Sequence, residues 1–113
     1  MKKSLIVILL IVIVFVVQLV LRSQEREYIG DYTYGADAET FVDINTKQLY
    51  WVIGEDSLLD NLHKKIEEMR KETSEPYPLL RIKVNGKDKG EAVNGLAEEG
   101  DRVLEIKKYE ILE

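Results

Sequence analysis

The sequence predicts a mostly β domain with one helix, in the order β-β-β-α-β-β, preceded by a transmembrane helix. Three observations support this prediction. The chain opens with one uninterrupted apolar run, whereas the remainder alternates in short segments. The spacing of apolar residues changes from two to three or four only in the middle of the chain, as in a single amphipathic helix. Clusters of Gly, Asn and Pro separate the segments.

The N-terminal run predicts an uncleaved signal anchor in contact with membrane lipid. From Leu5 to Leu21, sixteen of seventeen residues are apolar, and Gln18 is the exception. A helix of this length is about 26 Å long, close to the thickness of a hydrocarbon core. Lys2 and Lys3 favour a cytoplasmic N-terminus. We therefore expect a single-pass protein of the cytoplasmic (inner) membrane, with residues 1–27 as anchor and spacer and residues 28–113 as a periplasmic domain. A cleaved signal peptide is the alternative, but no small residues mark a cleavage site.

Three strands are predicted before the helix. Residues 28–34 alternate and place three tyrosines on one face. Residues 39–44 and 48–53 form the next two strands, and Asn45, Thr46 and Lys47 connect them in a hairpin.

The helix follows Gly54 and is expected to be capped by Asp56 or Ser57. Its apolar face is formed by residues at spacings of three and four, namely Leu59, Leu62, Ile66 and Met69. Neither Pro76 nor Pro78 can continue a helix, so the helix must end before them.

Two further strands are predicted after the helix. Residues 79–84 alternate, and the pair Asn85-Gly86 predicts a turn. Residues 87–101 are rich in glycine and charge and predict a long loop. In residues 102–112 the apolar positions change register, which predicts a bulge near Lys107 and Lys108.

A helix between the third and fourth of five strands is the layout of an OB-type barrel. Another α+β arrangement, a ferredoxin-like sandwich, would need a helix between the first two strands, where only a short turn at residues 35–37 is available.

Several segments also resemble a known family. Residues 34–38 and 41–43 (sequences YGADA and FVD) resemble the opening of the OB-type domain at the C-terminus of NlpE-like envelope lipoproteins. The acidic turn at residues 54–56, the prolines at 76 and 78 and the closing strand at 103–109 fit the same pattern. The resemblance covers residues 28–112 and implies a non-enzymatic domain of the bacterial envelope. Ile44 stands where a cysteine is common in that family, and the chain contains no cysteine to lipidate or oxidise.

Charge argues against a nucleic-acid partner. All 21 acidic residues but only 14 of the 16 basic residues follow Leu21, so this part of the chain carries a net charge of −7. Such a surface repels phosphate backbones.

Few residues point to catalysis or to a metal. His63 is the only histidine, is expected to be exposed or partly exposed on the helix, and cannot build a typical zinc site without further ligands. The acidic residues of the first hairpin predict a solvated strand face or, less simply, a weak Ca²⁺ site; they are Asp31, Asp37, Glu39 and Asp43. We expect no catalytic residue, no metal and no cofactor.

The aromatic residues of the first three strands suggest a binding surface, because Tyr and Trp are frequent anchors at interfaces. The candidate contacts for a ligand or partner are Tyr32, Tyr34, Tyr50 and Trp51. The resulting hypothesis is an anchored binding or assembly module whose partner is an envelope protein or peptide. The alternatives are an auxiliary subunit of a membrane complex and a small carboxylate-dependent hydrolase that uses the hairpin acids.

Overall fold

A computed structural model describes the backbone of residues 2–23, 25–93 and 95–112, and the side chains of the same residues except 18–23. Two helices and five strands follow one another along the chain: α1 Lys2–Ser23, β1 Glu25–Tyr34, β2 Glu39–Asp43, β3 Leu49–Gly54, α2 Asp56–Thr73, β4 Leu80–Glu91 and β5 Arg102–Ile111.

The five strands close into a barrel in the spatial order β1-β2-β3-β5-β4. β3 and β5 pair in parallel, and the other neighbouring strands pair in antiparallel fashion. With α2 inserted between β3 and β4, this topology confirms the predicted OB-type barrel.

The barrel interior is filled by alternate residues of every strand and by one face of α2. Leu62 and Ile66 are fully buried, and Leu59 and Met69 pack against the core at its edge. The predicted apolar face of the helix is therefore confirmed. The helix also ends where the prolines require it, because Ser74 closes it in the left-handed region with φ 61°.

β1 closes the barrel because it pairs along both of its edges. Its residues 25–32 pair with β4 and its residues 30–34 pair with β2. At the overlap lies Gly30, opposite both Asp43 and Ile82. A Cβ atom at this position would collide with the carbonyl oxygen of Val42 and the ring of Phe41. Glycine is thus required at this close approach of β1 to β2.

The first strand begins earlier than its sequence pattern predicts. Glu25, Arg26 and Glu27 were expected in a polar spacer, but they pair with residues 85–87 of β4. Their polarity reflects an exposed strand end and not a linker. The other described residues of the expected spacer, Arg22 and Ser23, belong to α1, and Gln24 lies outside the described residues.

The turn predicted at Asn85-Gly86 is wrong, because β4 continues through it to Glu91. A Cβ at Gly86 would lie 2.7 Å from the carbonyl oxygen of Glu105, so the glycine permits a close approach of β4 to β5. The predicted bulge is confirmed here: Asn85 pairs with Lys108 while Gly86 pairs with Ile106, which leaves Lys107 unpaired. Only residues 92–101 remain as the connection between β4 and β5.

The predicted cap of α2 is also wrong by one or two residues. The N-cap is Glu55, whose side chain makes no capping hydrogen bond, and its carbonyl accepts the amides of Leu58 and Leu59. Asp56 lies in the first turn instead, where its negative charge interacts favourably with the positive end of the helix dipole.

The N-terminal helix α1 covers the segment in which the sequence predicts a membrane span, although Gln18 to Leu21 lie outside the residues whose side chains are described. Within the described part of the chain, no helix combines the length and the apolar character needed to cross a membrane.

The requirement for glycine at position 30 can be tested by Gly30→Ala. We expect the free energy of unfolding to fall by about 2 kcal/mol or more, because the added methyl group must displace backbone or the Phe41 ring. The matched control is Gly95→Ala, where nothing lies within 4 Å of the added atom. Measured by denaturant unfolding, the free energy of unfolding of the control should change by less than about 0.5 kcal/mol. Equal losses for both variants would contradict the argument.

Candidate binding groove on the barrel surface

An open groove of about 630 Å³ lies on the barrel surface. Three segments form it: the β1–β2 loop at residues 35–38, the strand β3, and the β4–β5 loop. The residues that give the groove its apolar character are Ala36, Trp51, Ile53, Val93, Leu96 and Val103.

Several of these apolar side chains are open to solvent. Val93 is 93% exposed, Leu96 is 60% exposed and Ile53 is 42% exposed. Soluble domains expose single apolar side chains routinely, but a contiguous apolar patch usually marks an interaction site. The groove therefore has the character of a surface that another molecule covers.

The β4–β5 loop is tied to β3 by hydrogen bonds. Trp51 Nε1 donates to Asp101 Oδ2 over 3.1 Å, and the same oxygen accepts the amide of Glu98 over 2.8 Å. Gln48 Nε2 donates to the carbonyl of Gly100 over 2.7 Å. These bonds hold the β4–β5 loop in place as one wall of the groove. Trp51 therefore both lines the groove and positions this loop.

The β1–β2 loop is held by a turn hydrogen bond of its own and by the segment after α2. The amide of Gly35 donates to the carbonyl of Ala38 over 2.8 Å, which closes the turn. The Tyr77 ring occupies the space that a Cβ of Gly35 would need. Thr33 Oγ1 donates to the carbonyl of Pro78 over 3.0 Å. The segment after α2 therefore packs against this loop and fixes the second wall.

A polar cluster around Glu39 joins this wall to α2. Tyr32 Oη donates to Glu39 Oε2 over 2.6 Å, and His63 Nε2 lies 2.8 Å from the same oxygen. The His63 ring stacks on Tyr34 with centroids 3.8 Å apart. Arg70 Nη2 donates to the carbonyl of Tyr34 over 2.7 Å. Burial, followed by the bond to Glu39, raises the pKa of Tyr32, so its hydroxyl stays protonated and keeps donating.

The family model of the NlpE C-terminal OB domain matches residues 22–108. The chain belongs to the NlpE C-terminal OB domain family. Membership suggests an envelope-associated module, and the domains of this family are of a binding type. No curated protein and no solved structure matches the chain.

The position of the groove agrees with general OB-fold behaviour. OB folds commonly bind ligands on the face of strands 2 and 3, between the β1–β2 and β4–β5 loops. The NlpE-type domain places its exposed apolar residues in the same region, although its net negative charge differs from that of nucleic-acid binders.

The four aromatic candidates divide between core and surface. Tyr32 has no exposed surface and Tyr50 is 6% exposed, so both rings pack in the core and neither lines the groove. The reason is that even-numbered positions of β1 and β3 face the barrel interior. Tyr34 and Trp51 do line the groove, and their contact with a partner stays a prediction.

The predictions for two polar residues have different outcomes. His63 was expected to be an exposed or partly exposed helix residue, and its side chain is 25% exposed on α2, where it also bonds to Glu39. Asp43 was expected on a solvated face, but it is 8% exposed and its Oδ1 accepts the amides of Asn45 and Thr46. Among the residues with described side chains, no three potential metal ligands converge.

Sequence reasoning also missed the apolar contribution of the β4–β5 loop. Val93 was visible as a short apolar patch with Ala92 in a charged loop, but nothing local placed it beside Ile53. Only Ala92 of that pair is buried.

The contribution of the Glu39 cluster can be tested by His63→Ala. We expect the free energy of unfolding to fall by about 1–2 kcal/mol, because the variant loses the ring stack and one hydrogen bond to Glu39. Lys64→Ala, at an exposed neighbouring position of the same helix, should change it by less than about 0.5 kcal/mol. Thermal and denaturant unfolding measure both. Indistinguishable losses would show that the cluster adds no stability.

Proposed function

We propose that this protein is a membrane-anchored, extracytoplasmic binding or assembly module whose groove receives a polypeptide segment of an envelope partner. The observation that carries the proposal is the exposed apolar groove at the face that OB folds use for ligands. The hydrogen-bonded walls support it further, because a surface that is already ordered loses little conformational entropy when a partner binds.

The chemistry of the groove favours a particular kind of segment. Its floor is apolar, whereas its loops carry the exposed acidic residues Asp37, Glu98 and Glu99. Opposite charges at the rim of an interface steer association and fix register. We therefore expect the partner segment to present an apolar side chain flanked by Lys or Arg.

The anchor is supported by the exposed apolar surface of α1. Thirteen consecutive apolar side chains, from Leu5 to Val17, are between 50% and 68% exposed. A helix that is apolar on all sides is energetically unfavourable in water and favourable in lipid. The sequence continues this character to Leu21, and Lys2 and Lys3 favour a cytoplasmic N-terminus.

An auxiliary subunit of a larger membrane complex would have the same anchor, but its groove would be covered permanently by one neighbouring subunit. The hydrolase alternative receives no support from the carboxylates. Glu39 is engaged by Tyr32 and His63, and Asp43 shapes the β2–β3 turn. We accordingly propose a non-catalytic role.

Groove occupancy can be tested by site-specific photocrosslinking in the native membrane. A photoreactive residue at Val93 should form a protein adduct, and Ile53→Asp should reduce that adduct at least fivefold by charging the groove floor. Leu79→Asp is the matched control, because Leu79 is 61% exposed but does not line the groove. The crosslinked partner peptide should contain an apolar residue next to Lys or Arg. An adduct insensitive to Ile53→Asp, or an acidic partner peptide, would contradict the proposal.

Anchoring and topology can be tested with a C-terminal reporter. Alkaline phosphatase fused after Glu113 should be active in a bacterial host, because the enzyme requires export. The chain should also remain with the membrane after alkaline carbonate extraction, whereas Leu9→Arg combined with Val12→Arg should release it. An inactive fusion would overturn the orientation. A freely soluble chain with its N-terminus intact would overturn the anchor.

A further inference from the structure

A second pocket, of about 560 Å³, shares no residue with the groove. It is formed where β1 begins, β4 ends and β5 begins, beside the β2–β3 turn. Hydroxyl, guanidinium and carboxylate groups dominate its wall, in contrast to the apolar groove. Its volume lies in the range of small-molecule sites, and its polar wall suits a small charged ligand better than an apolar one.

Two tyrosine hydroxyls open into the pocket. The rings of Tyr28 and Tyr50 meet edge to face with centroids 5.6 Å apart, and both residues line the wall. Neither hydroxyl has a hydrogen-bond partner among the described residues. Every fully buried side-chain oxygen in the described part of the chain does have one. Both hydroxyls must therefore be open to solvent, which they reach through the pocket. Burial and the nearby carboxylate of Asp88 raise the pKa of each tyrosine, which keeps both hydroxyls able to donate.

Most of the charges around the pocket are already paired. Arg102 Nε donates to Asp88 Oδ2 over 2.8 Å, and the other Asp88 oxygen accepts the amide of Gly90. Glu27 pairs with Lys83 over 3.3 Å. Lys83 also pairs with Glu110 over 3.3 Å, so the charges of Arg102, Asp88 and Glu27 are all engaged by neighbouring side chains.

One positive and one negative group remain for a ligand. Arg26 forms no ion pair among the described residues. Asp43 uses Oδ1 for two turn amides, while its Oδ2 has no partner among the described residues and therefore also reaches the pocket. The site thus presents a cation, a carboxylate oxygen and two hydroxyls.

We propose that this pocket binds a small zwitterion that carries a phosphate and a primary amine, the chemistry of phosphoethanolamine. The ammonium donates to Asp43 Oδ2 and to a tyrosine oxygen, while the phosphate accepts from Arg26 and from the other tyrosine. Charge-assisted bonds of this kind are the strongest class of hydrogen bond in proteins. A ligand with only one charge would leave one of the two protein charges unmatched.

The place of the pocket in the chain suggests a source for this ligand. Arg26 follows the end of α1 at Ser23 by three residues, which is at most about 11 Å of extended chain. This step rests on the proposed function, in which α1 is the membrane anchor. With α1 in the membrane, the pocket lies within reach of the lipid headgroup layer. A phospholipid headgroup and a free metabolite share the same chemistry, and the experiment below separates them.

Binding can be measured on the full chain in detergent micelles that contain no phospholipid. The chain has six tyrosines, so ring-¹³C labelling of tyrosine gives a simple NMR spectrum, in which Tyr28→Phe and Tyr50→Phe assign two signals. Glycerophosphoethanolamine should shift these two signals selectively. Tyr50→Phe and Arg26→Gln should each weaken binding about tenfold. Tyr109→Phe, at a partly buried tyrosine outside the pocket, should leave affinity unchanged.

Further arms distinguish the ligand and its source. Inorganic phosphate and ethanolamine should each bind at least tenfold more weakly than the zwitterion. In lipid nanodiscs, the same two signals should shift with phosphatidylethanolamine but not with phosphatidylglycerol if the source is a lipid. A shift only with the soluble compound supports a free zwitterion. The absence of any shift, or equal binding of phosphate alone, would overturn the proposal.

Binding of the zwitterion can be tested separately from the groove and from the membrane anchor. The micelle titration does not require the chain to span a bilayer, so failure of the anchor leaves it interpretable. Tyr50→Phe should not change crosslinking from position 93, because Tyr50 does not line the groove. Loss of that adduct in Tyr50→Phe would show that the pocket and the groove are one site, and would overturn their separation.

Discussion

Closure of the barrel through β1 is the constraint on which the other features of this structure depend. One strand pairs with β4 along its first part and with β2 along its second, and Gly30, where the two pairings overlap, leaves no room for a Cβ atom. This closure gives β1 a partner strand on each side and brings the β1–β2 and β4–β5 loops to opposite walls of one groove. Neither loop would form a surface alone, so the candidate site is a product of the closed topology.

The Glu39 cluster couples the helix to that groove. Glu39 and Tyr34 lie at the groove edge, while their partners His63 and Arg70 lie on α2. A partly buried carboxylate that accepts two hydrogen bonds on one oxygen tolerates little displacement, because losing either donor leaves a charged group poorly solvated. A shift of α2 relative to β1 and β2 would therefore change the groove wall as well as the core.

Local patterns predicted the order of strands, the buried helix face and the bulge at Lys107, because each of these depends on residues close in sequence. The failures share a different cause. Asn85-Gly86 has the composition of a turn, but Gly86 is needed for a contact with Glu105, which is remote in sequence. Tyrosine is a residue type that often anchors interfaces, but the side chain of Tyr32 lies on the face of β1 that points into the barrel. The groove itself was not predictable, since Ile53 and Val93 become neighbours only through the β3–β5 pairing.

That same pairing separates the two candidate sites. Along β3, successive side chains face opposite sides, so Tyr50 faces the polar pocket and Trp51 faces the groove. The parallel register sets Tyr50 opposite Arg102 and Trp51 opposite Val103. A one-residue slip would therefore exchange polar and apolar residues at both sites simultaneously. The Trp51–Asp101 hydrogen bond opposes such a slip because it joins β3 to the residue before β5, and the Arg102–Asp88 ion pair fixes β5 against β4. The contacts that shape the two surfaces are thus also contacts that hold β5 in register with its two neighbouring strands.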